Sequence, residues 1–208
     1  MIELYSWQTS NGRKVSIALE ELALEYTVHP VNIGADEQFS PQFTALNPNQ
    51  KIPAIIDTDG PAGEPITIFE SGAILLYLAR KTGRLLPRDP HGEYETLQWL
   101  MWQMSGVGPI FGQVHHFRRA AKETVPYALE RYSKECARLY SVLDARLDGR
   151  DYVAAQTYTI ADIAIFPWVA RYDWQEIDLA AYPHVQRWFH ALNERPAVQA
   201  GLLIPPRD

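Results

Sequence analysis

The sequence predicts an α/β domain followed by an all-helical domain. Three observations carry this. Residues 1 to about 80 alternate short strand-like and helix-like segments. Pro87 and Pro90, in "RLLPRDPHGE", then interrupt regular patterning. From about residue 91 onward every periodic segment has helical spacing. The expected organisation is a first domain at 1–82, a linker at 83–90 and a helical domain at 91–208.

In the first domain "IELYSW" alternates with period 2 and reads as a strand. "NGRKVSIALEELAL" places Val15, Ala18, Leu19 and Leu22 at helical spacing. "EYTVHPVNI" is strand-like again. Ser40 suits a helix cap and Pro41 a first helical position. "KIPAIID" and "ITIF" are short strands around a turn-rich "TDGPAGEP". "SGAILLYLARKTG" reads as a helix capped by Ser71 and closed by Gly83. A strand-helix-strand unit makes a parallel pair, and the short link between the last two strands makes them antiparallel. That combination is the thioredoxin-like topology.

In the second domain "YETLQWLMWQMSG" carries Leu97, Leu100, Met101 and Met104 on one expected face. "TVPYALERYSKECARLYSVLDARL" forms about six turns after Pro126. Thr159 and Asp162 have capping-box spacing, and Pro167 is expected to kink or shorten the helix they open. "PHVQRWFHALNERP" is the last long helix.

Hydrophobic content of 47% and charged content of 21% describe a soluble globular chain. A net charge of −6 disfavours nucleic acid and acidic membranes as partners. Neither a secretory leader nor a membrane span is expected, so a cytoplasmic location follows. The single cysteine, Cys136, excludes an internal disulfide, a cysteine zinc site and a CxxC redox pair. Adjacent His115 and His116 lack the i,i+4 spacing of two metal ligands on one helix, so packing is expected of them.

Two segments suggest a ligand. Proline at the start of the "KIPAII" strand fits either a trans edge position or a cis Ile52–Pro53 bond. With this topology the cis form is expected, turning the Ile52 backbone toward an extended peptide. In "FESGAILLYLA" the helix start at Ser71 is suited to a carboxylate and Glu70 to an ammonium. An amino-acid end fits that pair. The alternative is a plain cap with a dipole-favouring charge.

These motifs resemble those of cytosolic glutathione transferases. The matching runs are "LNPNQKIPAIID", "IFESGAILLYLA", "LQWLMWQMSGVGPIFGQVHHF" and "PYALERY". The resemblance spans the whole chain and is strongest to the bacterial Nu class, with its disulfide-bond reductases and its yeast nitrogen-regulation prion relative. It implies the two-domain transferase fold, glutathione as cosubstrate, no metal, and a homodimer. It implies γ-glutamyl anchors at Glu70 and Ser71, and a backbone partner at Ile52 before Pro53. Gln38 and Lys51 fall near the glycyl end, and Thr9 and Asn11 near the sulfur. Arg131 corresponds to a contact to a second glutathione moiety, and otherwise reads as a solvated helix residue.

"YSWQTSNGRK" contains no cysteine, so the ligand would bring the sulfur. Tyr5 falls on the opposite strand face, and Ser6 reads as structural. Ser10 is a rival donor: it stands where this branch usually has proline. The first expected activity is glutathione-dependent thiol–disulfide exchange. Conjugation to a small electrophile, with Phe111 and Trp168 lining an acceptor pocket, is the second. A non-enzymatic protein-binding module is the third.

Overall fold

The computed structural model describes residues 1–206. The chain divides into two compact units. The first comprises Met1–Arg84 with the described residues from Glu194 onward, and the second Leu85–Asn193.

In the first unit β1 (Ile2–Ser6), β2 (Tyr26–Pro30), β3 (Ala54–Asp57) and β4 (Ile66–Phe69) form one sheet. The strand order is β2-β1-β3-β4. β1 runs parallel to β2, and β3 runs antiparallel to both β1 and β4. The parallel pair requires a crossover, which α1 (Ser10–Leu22) supplies. α2 (Pro41–Leu46) and α3 (Ser71–Thr82) complete the thioredoxin-like arrangement. Leu4 and Ile55 lie opposite each other in the ladder and are fully buried. Val15, Ala18 and Leu19 of α1 and Ile74, Leu75 and Leu78 of α3 are buried with them. A second cluster joins Val31, Phe43 and Ala54, with Tyr5, Leu46 and Ile52 packed against it.

Helix α1 is buried beyond the expected stripe. Ser16 and Ile17 have no exposure, because α9 (Pro196–Leu202) covers them. The sequence assigned α9 to the helical domain; it lies in the first unit because α1 has two faces to bury. The approach is close. A Cβ on Gly201 would lie 2.6 Å from both the backbone N and the Cα of Ile17. Ser16 Oγ donates to the Gly201 carbonyl at 2.6 Å. Arg195 clamps Glu21 with bonds of 2.7 and 2.8 Å.

The second unit contains α4 (Pro90–Trp102), α5 (Gly108–His115), α6 (Pro126–Leu147), α7 (Ile160–Val169) and α8 (Pro183–Asn193). Two π turns, Gln103–Val107 and His116–Ala120, follow α4 and α5. The first precedes Pro109, which has no N–H to give to an α-helical ladder. Leu100 is buried but Met101 is half exposed, so the expected apolar face of α4 is narrower than its sequence suggested. α7 runs two residues past Pro167 and ends at Val169.

Asp162 organises the start of α7. Its carboxylate accepts from Val153 N at 2.9 Å, Thr159 N at 3.0 Å, Thr159 Oγ1 at 3.1 Å and Trp188 Nε1 at 3.0 Å. Burial pushes its pKa up to about 6, while those donors work in the opposite direction.

Removing an acceptor from buried donors costs about 1–3 kcal/mol each. Asp162→Ala strands three backbone or indole N–H groups and should lower stability by more than about 3 kcal/mol. Asp162→Asn, which keeps an amide oxygen, should lose less; chemical denaturation compares the two. Gly201→Ala forces α9 off α1 and should cost about 1–3 kcal/mol, as overpacking does. The melting temperature should drop by several degrees, at about 2–4 °C per kcal/mol.

Candidate active site

Strand register gathers the candidates of the first unit. Ser6 pairs with Pro30, Tyr5 with Ala54, and Ala54 with Phe69. β1, β2 and β4 therefore end, and β3 begins, at one edge of the sheet. Thr9 and Asn11 follow β1, and Gln38 follows β2. Lys51, Ile52 and Pro53 precede β3, and Glu70 and Ser71 follow β4. Strands lie about 4.8 Å apart, so β1 to β4 covers about 10 Å. That is roughly the extended length of three residues.

The turn after β1 presents two donors. Thr9 caps α1, its Oγ1 accepting from Gly12 N at 3.0 Å. The hydroxyl hydrogen is left to donate elsewhere. The Asn11 side chain, on the first turn of α1 and partly exposed, makes no hydrogen bond among the described residues. Ser10 is 4% exposed, and its Oγ is buried without a partner among the described residues. Tyr5 is committed elsewhere: its ring stacks on His29 at 4.5 Å and its hydroxyl donates to Glu3 at 3.0 Å. Ser6 is buried beneath the turn. Gly12 is obligatory, since a Cβ there would lie 2.2 Å from the Trp7 carbonyl oxygen.

The segment before β3 is shaped by Asn47, which is buried. Its Nδ2 donates to the Lys51 carbonyl at 2.6 Å, and its Oδ1 accepts from Asn49 N at 2.9 Å. Gln50 adopts a φ of 55° within this loop. The Ile52–Pro53 bond is cis, and Ile52 precedes the ladder that starts at Ala54. The Lys51 side chain is exposed. Gln38 sits in a short 3₁₀ turn, Glu37–Phe39, with its Oε1 buried and without a partner among the described residues.

At the head of α3 the expected cap is corrected. Ser71 is the first helical residue, and Glu70 holds the cap position with φ 69° and ψ 113°. This conformation is sparsely populated outside glycine and costs about 1–3 kcal/mol. Glu70 makes no side-chain cap bond. The Ser71 hydroxyl oxygen instead accepts from Lys14 Nζ at 3.2 Å. Ser71 is 3% and Lys14 1% exposed. Burial pushes the Lys14 ammonium down to about 7, and Glu70 opposes that shift.

Arg131 lies on α6 of the second unit, exposed beside a cavity of about 520 Å³. Ile110, Tyr127, Tyr132 and Lys134 also line it. Phe111 and Trp168, expected to line an acceptor pocket, are core residues instead, at 2% and 9% exposure. Phe111 stacks on Tyr140 at 5.1 Å. Cys136 is buried on α6, and burial pushes its thiol up to about 12 against the pull of Arg118. His115 is a packing residue. Gln175 Oε1 accepts from Tyr140 Oη at 2.5 Å, so its amide nitrogen is the donor toward Trp168 O at 2.9 Å and His115 Nε2 at 3.1 Å. That makes His115 an acceptor at Nε2 and neutral, in line with burial pushing its pKa down to about 4. Among the described residues no group of three or more His, Cys, Asp or Glu could hold a metal ion.

Sequence reasoning missed Lys14 and Asn47. The signal for Lys14 was present: it stands four and eight residues before Ala18 and Leu22, on the apolar stripe of α1. Asn47 carried no signal of its own, because its partners are backbone groups of a loop.

Residues 1–80 match the glutathione S-transferase N-terminal domain, and residues 110–196 its C-terminal domain. The chain is 49% identical to the disulfide-bond oxidoreductase YfcG of Escherichia coli, over 98% of this chain and 95% of that protein. It is 44% identical to the disulfide-bond oxidoreductase YghU of the same organism, over 98% and 74%. A Pseudomonas putida glutathione transferase, solved with one glutathione disulfide per subunit, superposes with a TM-score of 0.95 at 50% identity. That match covers 98% of this chain and 91% of the other. A Burkholderia graminis glutathione transferase, with two glutathione molecules per subunit, also scores 0.95, at 47% identity over 100% and 89%. With both domains matched in order along one thioredoxin-like and helical chain, this protein belongs to the glutathione S-transferase family.

Proposed function

We propose that this chain is a glutathione-dependent disulfide-bond reductase in which no protein sulfur takes part. One observation carries the reading: the single cysteine is buried with a raised pKa, while the turn after β1 offers two donors and no thiol. The γ-glutamyl end of glutathione takes Glu70 and Ser71, its cysteinyl backbone pairs with Ile52 beside Pro53, and its glycyl end meets Gln38 and Lys51. Its sulfur then reaches Thr9 and Asn11. Arg131 serves a second glutathionyl unit. The likeness to relatives named as disulfide-bond oxidoreductases, and to one holding glutathione disulfide, supports this assignment.

The chemistry follows from ionisation. A free thiol with pKa near 8.5 is mostly protonated at pH 7. A hydrogen bond to a charged group is worth about 1.5–3 kcal/mol, and one pKa unit corresponds to about 1.4 kcal/mol. Thr9 and Asn11 together bring the thiol below neutrality without a general base. The bound thiolate attacks one sulfur of the disulfide in line. The S–S bond breaks, its far sulfur leaves as a thiolate that takes a proton from solvent, and a mixed disulfide forms. A second glutathione thiolate resolves it, giving glutathione disulfide and the reduced product.

The enzyme is further assigned as a cytoplasmic homodimer. Exposed Tyr94 and Met101 on α4 support an interface on that helix. Analytical ultracentrifugation of wild type and Tyr94→Glu tests it: the variant should shift toward monomer.

Thr9→Ala and Asn11→Ala should each raise the pKa of bound glutathione by about one unit, read by thiolate absorbance. Each should slow reduction of a small dialkyl disulfide about threefold at pH 7, as the thiolate fraction falls. Ser10→Ala should leave the thiol pKa unchanged, and Cys136→Ala should leave turnover unchanged. Loss of turnover in Cys136→Ala would overturn the mechanism. Faster conjugation of an aryl halide than disulfide reduction would make the chain a conjugating transferase instead.

A further inference from the structure

We propose that residues 203–206, the stretch after α9, serve the sulfur-binding turn, and that Gln8 is the positioning residue through which they do so. This rests on the reading of the turn after β1 as the place where a glutathione thiolate is held. Gln8 is assigned no contact to the ligand. It sets the position of Thr9, which follows it.

The turn is tight. Thr9 N donates to the Trp7 carbonyl at 2.7 Å, closing a three-residue turn with Gln8 at its apex. The same carbonyl oxygen is the atom that a Cβ on Gly12 would meet at 2.2 Å. Thr9 then caps α1, its Oγ1 accepting from Gly12 N at 3.0 Å and its carbonyl from Arg13 N at 3.0 Å. With so few free torsions between them, a change in the direction of Gln8 is passed to the Thr9 hydroxyl.

The end of the described chain runs antiparallel to α1 and reaches that apex. Arg195 binds Glu21 in the last turn of α1. Val198 follows, fully buried. Gly201 lies against Ile17, and its carbonyl accepts from Ser16 Oγ at 2.6 Å. Past α9, the Gln8 side-chain nitrogen donates to the Pro205 carbonyl at 2.5 Å and to the Leu203 carbonyl at 3.5 Å. An amide nitrogen carries two hydrogens, so one side chain serves both carbonyls. The contacts step from the last turn of α1 to the turn ahead of it as the chain steps from 195 to 205. All of these residues belong to the first unit.

The last of these contacts differs in kind from the others. The seating of α1 is secured by Val15, Ile17, Ala18 and Leu19, all without exposure. Gln8 is only half-buried, and a hydrogen bond there adds modestly to stability. Its place at the apex before Thr9 gives it leverage on direction instead. A hydrogen bond weakens steeply as its angle and length depart from the optimum. A turn that relaxes therefore loses part of the preference of the Thr9 hydroxyl for a thiolate over a thiol.

Titration of bound glutathione, followed by thiolate absorbance, tests this. Gln8→Ala and Gln8→Met, the second keeping the length without the donor hydrogens, should each raise the thiol pKa by about half a unit. That is a roughly threefold change in the ionisation constant. A chain cut after Leu202 should show the same shift with Gln8 intact. The acid limb of disulfide turnover should move up in pH by the same amount. Combined with Thr9→Ala, Gln8→Ala should add nothing to the shift of Thr9→Ala alone, because Gln8 acts through that hydroxyl. An unchanged thiol pKa in Gln8→Met would overturn the proposal, whatever the stability of the cut chain. A Gln8→Ala shift that persists in full beside Thr9→Ala would overturn it as well. Failure of wild type to bind glutathione in the same titration would instead overturn the reading beneath it.

Discussion

The alignment of strand ends at one edge of the sheet is the constraint on which the first unit depends. Because β1 is parallel to β2 and antiparallel to β3, and β3 is antiparallel to β4, four connections meet at one edge. Slipping any strand by one residue would exchange its buried and exposed faces, so core residues such as Leu4 and Ile55 hold that alignment. The core and the site are therefore one arrangement seen from two sides. The hydrophobic register that buries the strands also spaces the loops for a three-residue ligand.

Within that frame the chain supplies polarity rather than a nucleophile. The turn after β1 carries Thr9 and Asn11, the segment before β3 carries the cis Ile52–Pro53 bond, and the head of α3 carries Glu70 and Ser71. The positions that hold these groups carry local strain or close approach. Glu70 sits at positive φ, Gln50 likewise, and Gly12 leaves no room for a methyl group. Such features persist because the surrounding packing over-determines them. The buried thiol of Cys136, by contrast, behaves as a small apolar side chain.

The second unit shows how buried polar groups can serve order alone. Asp162 gathers donors from three separate parts of the chain at the start of α7, and Gln175 bridges Tyr140, His115 and the Trp168 carbonyl. Each network is satisfied by geometry that packing defines. Their perturbed titrations are consequences of burial and do not mark catalysis, which is why a shifted pKa alone does not identify a site.

The sequence by itself determined the element order, the mixed sheet and the helical second half, and it named the candidate ligand contacts. These are local in nature: period-2 and period-3.6 patterns, proline and glycine at turns, and short motifs such as "KIPAII" and "FESG" that declare their own geometry. Tertiary structure decided what depends on partners distant along the chain. Lys14 is buried where α3 brings Ser71 to it, and Ser10 is buried at the start of α1. Phe111 and Trp168 became core rather than pocket, and α9 left its sequence neighbours for α1. In each case the side chain's identity was legible, but its role depended on which surface folding placed opposite it. Burial, charge and direction are properties of pairs of elements, which no single stretch of sequence contains.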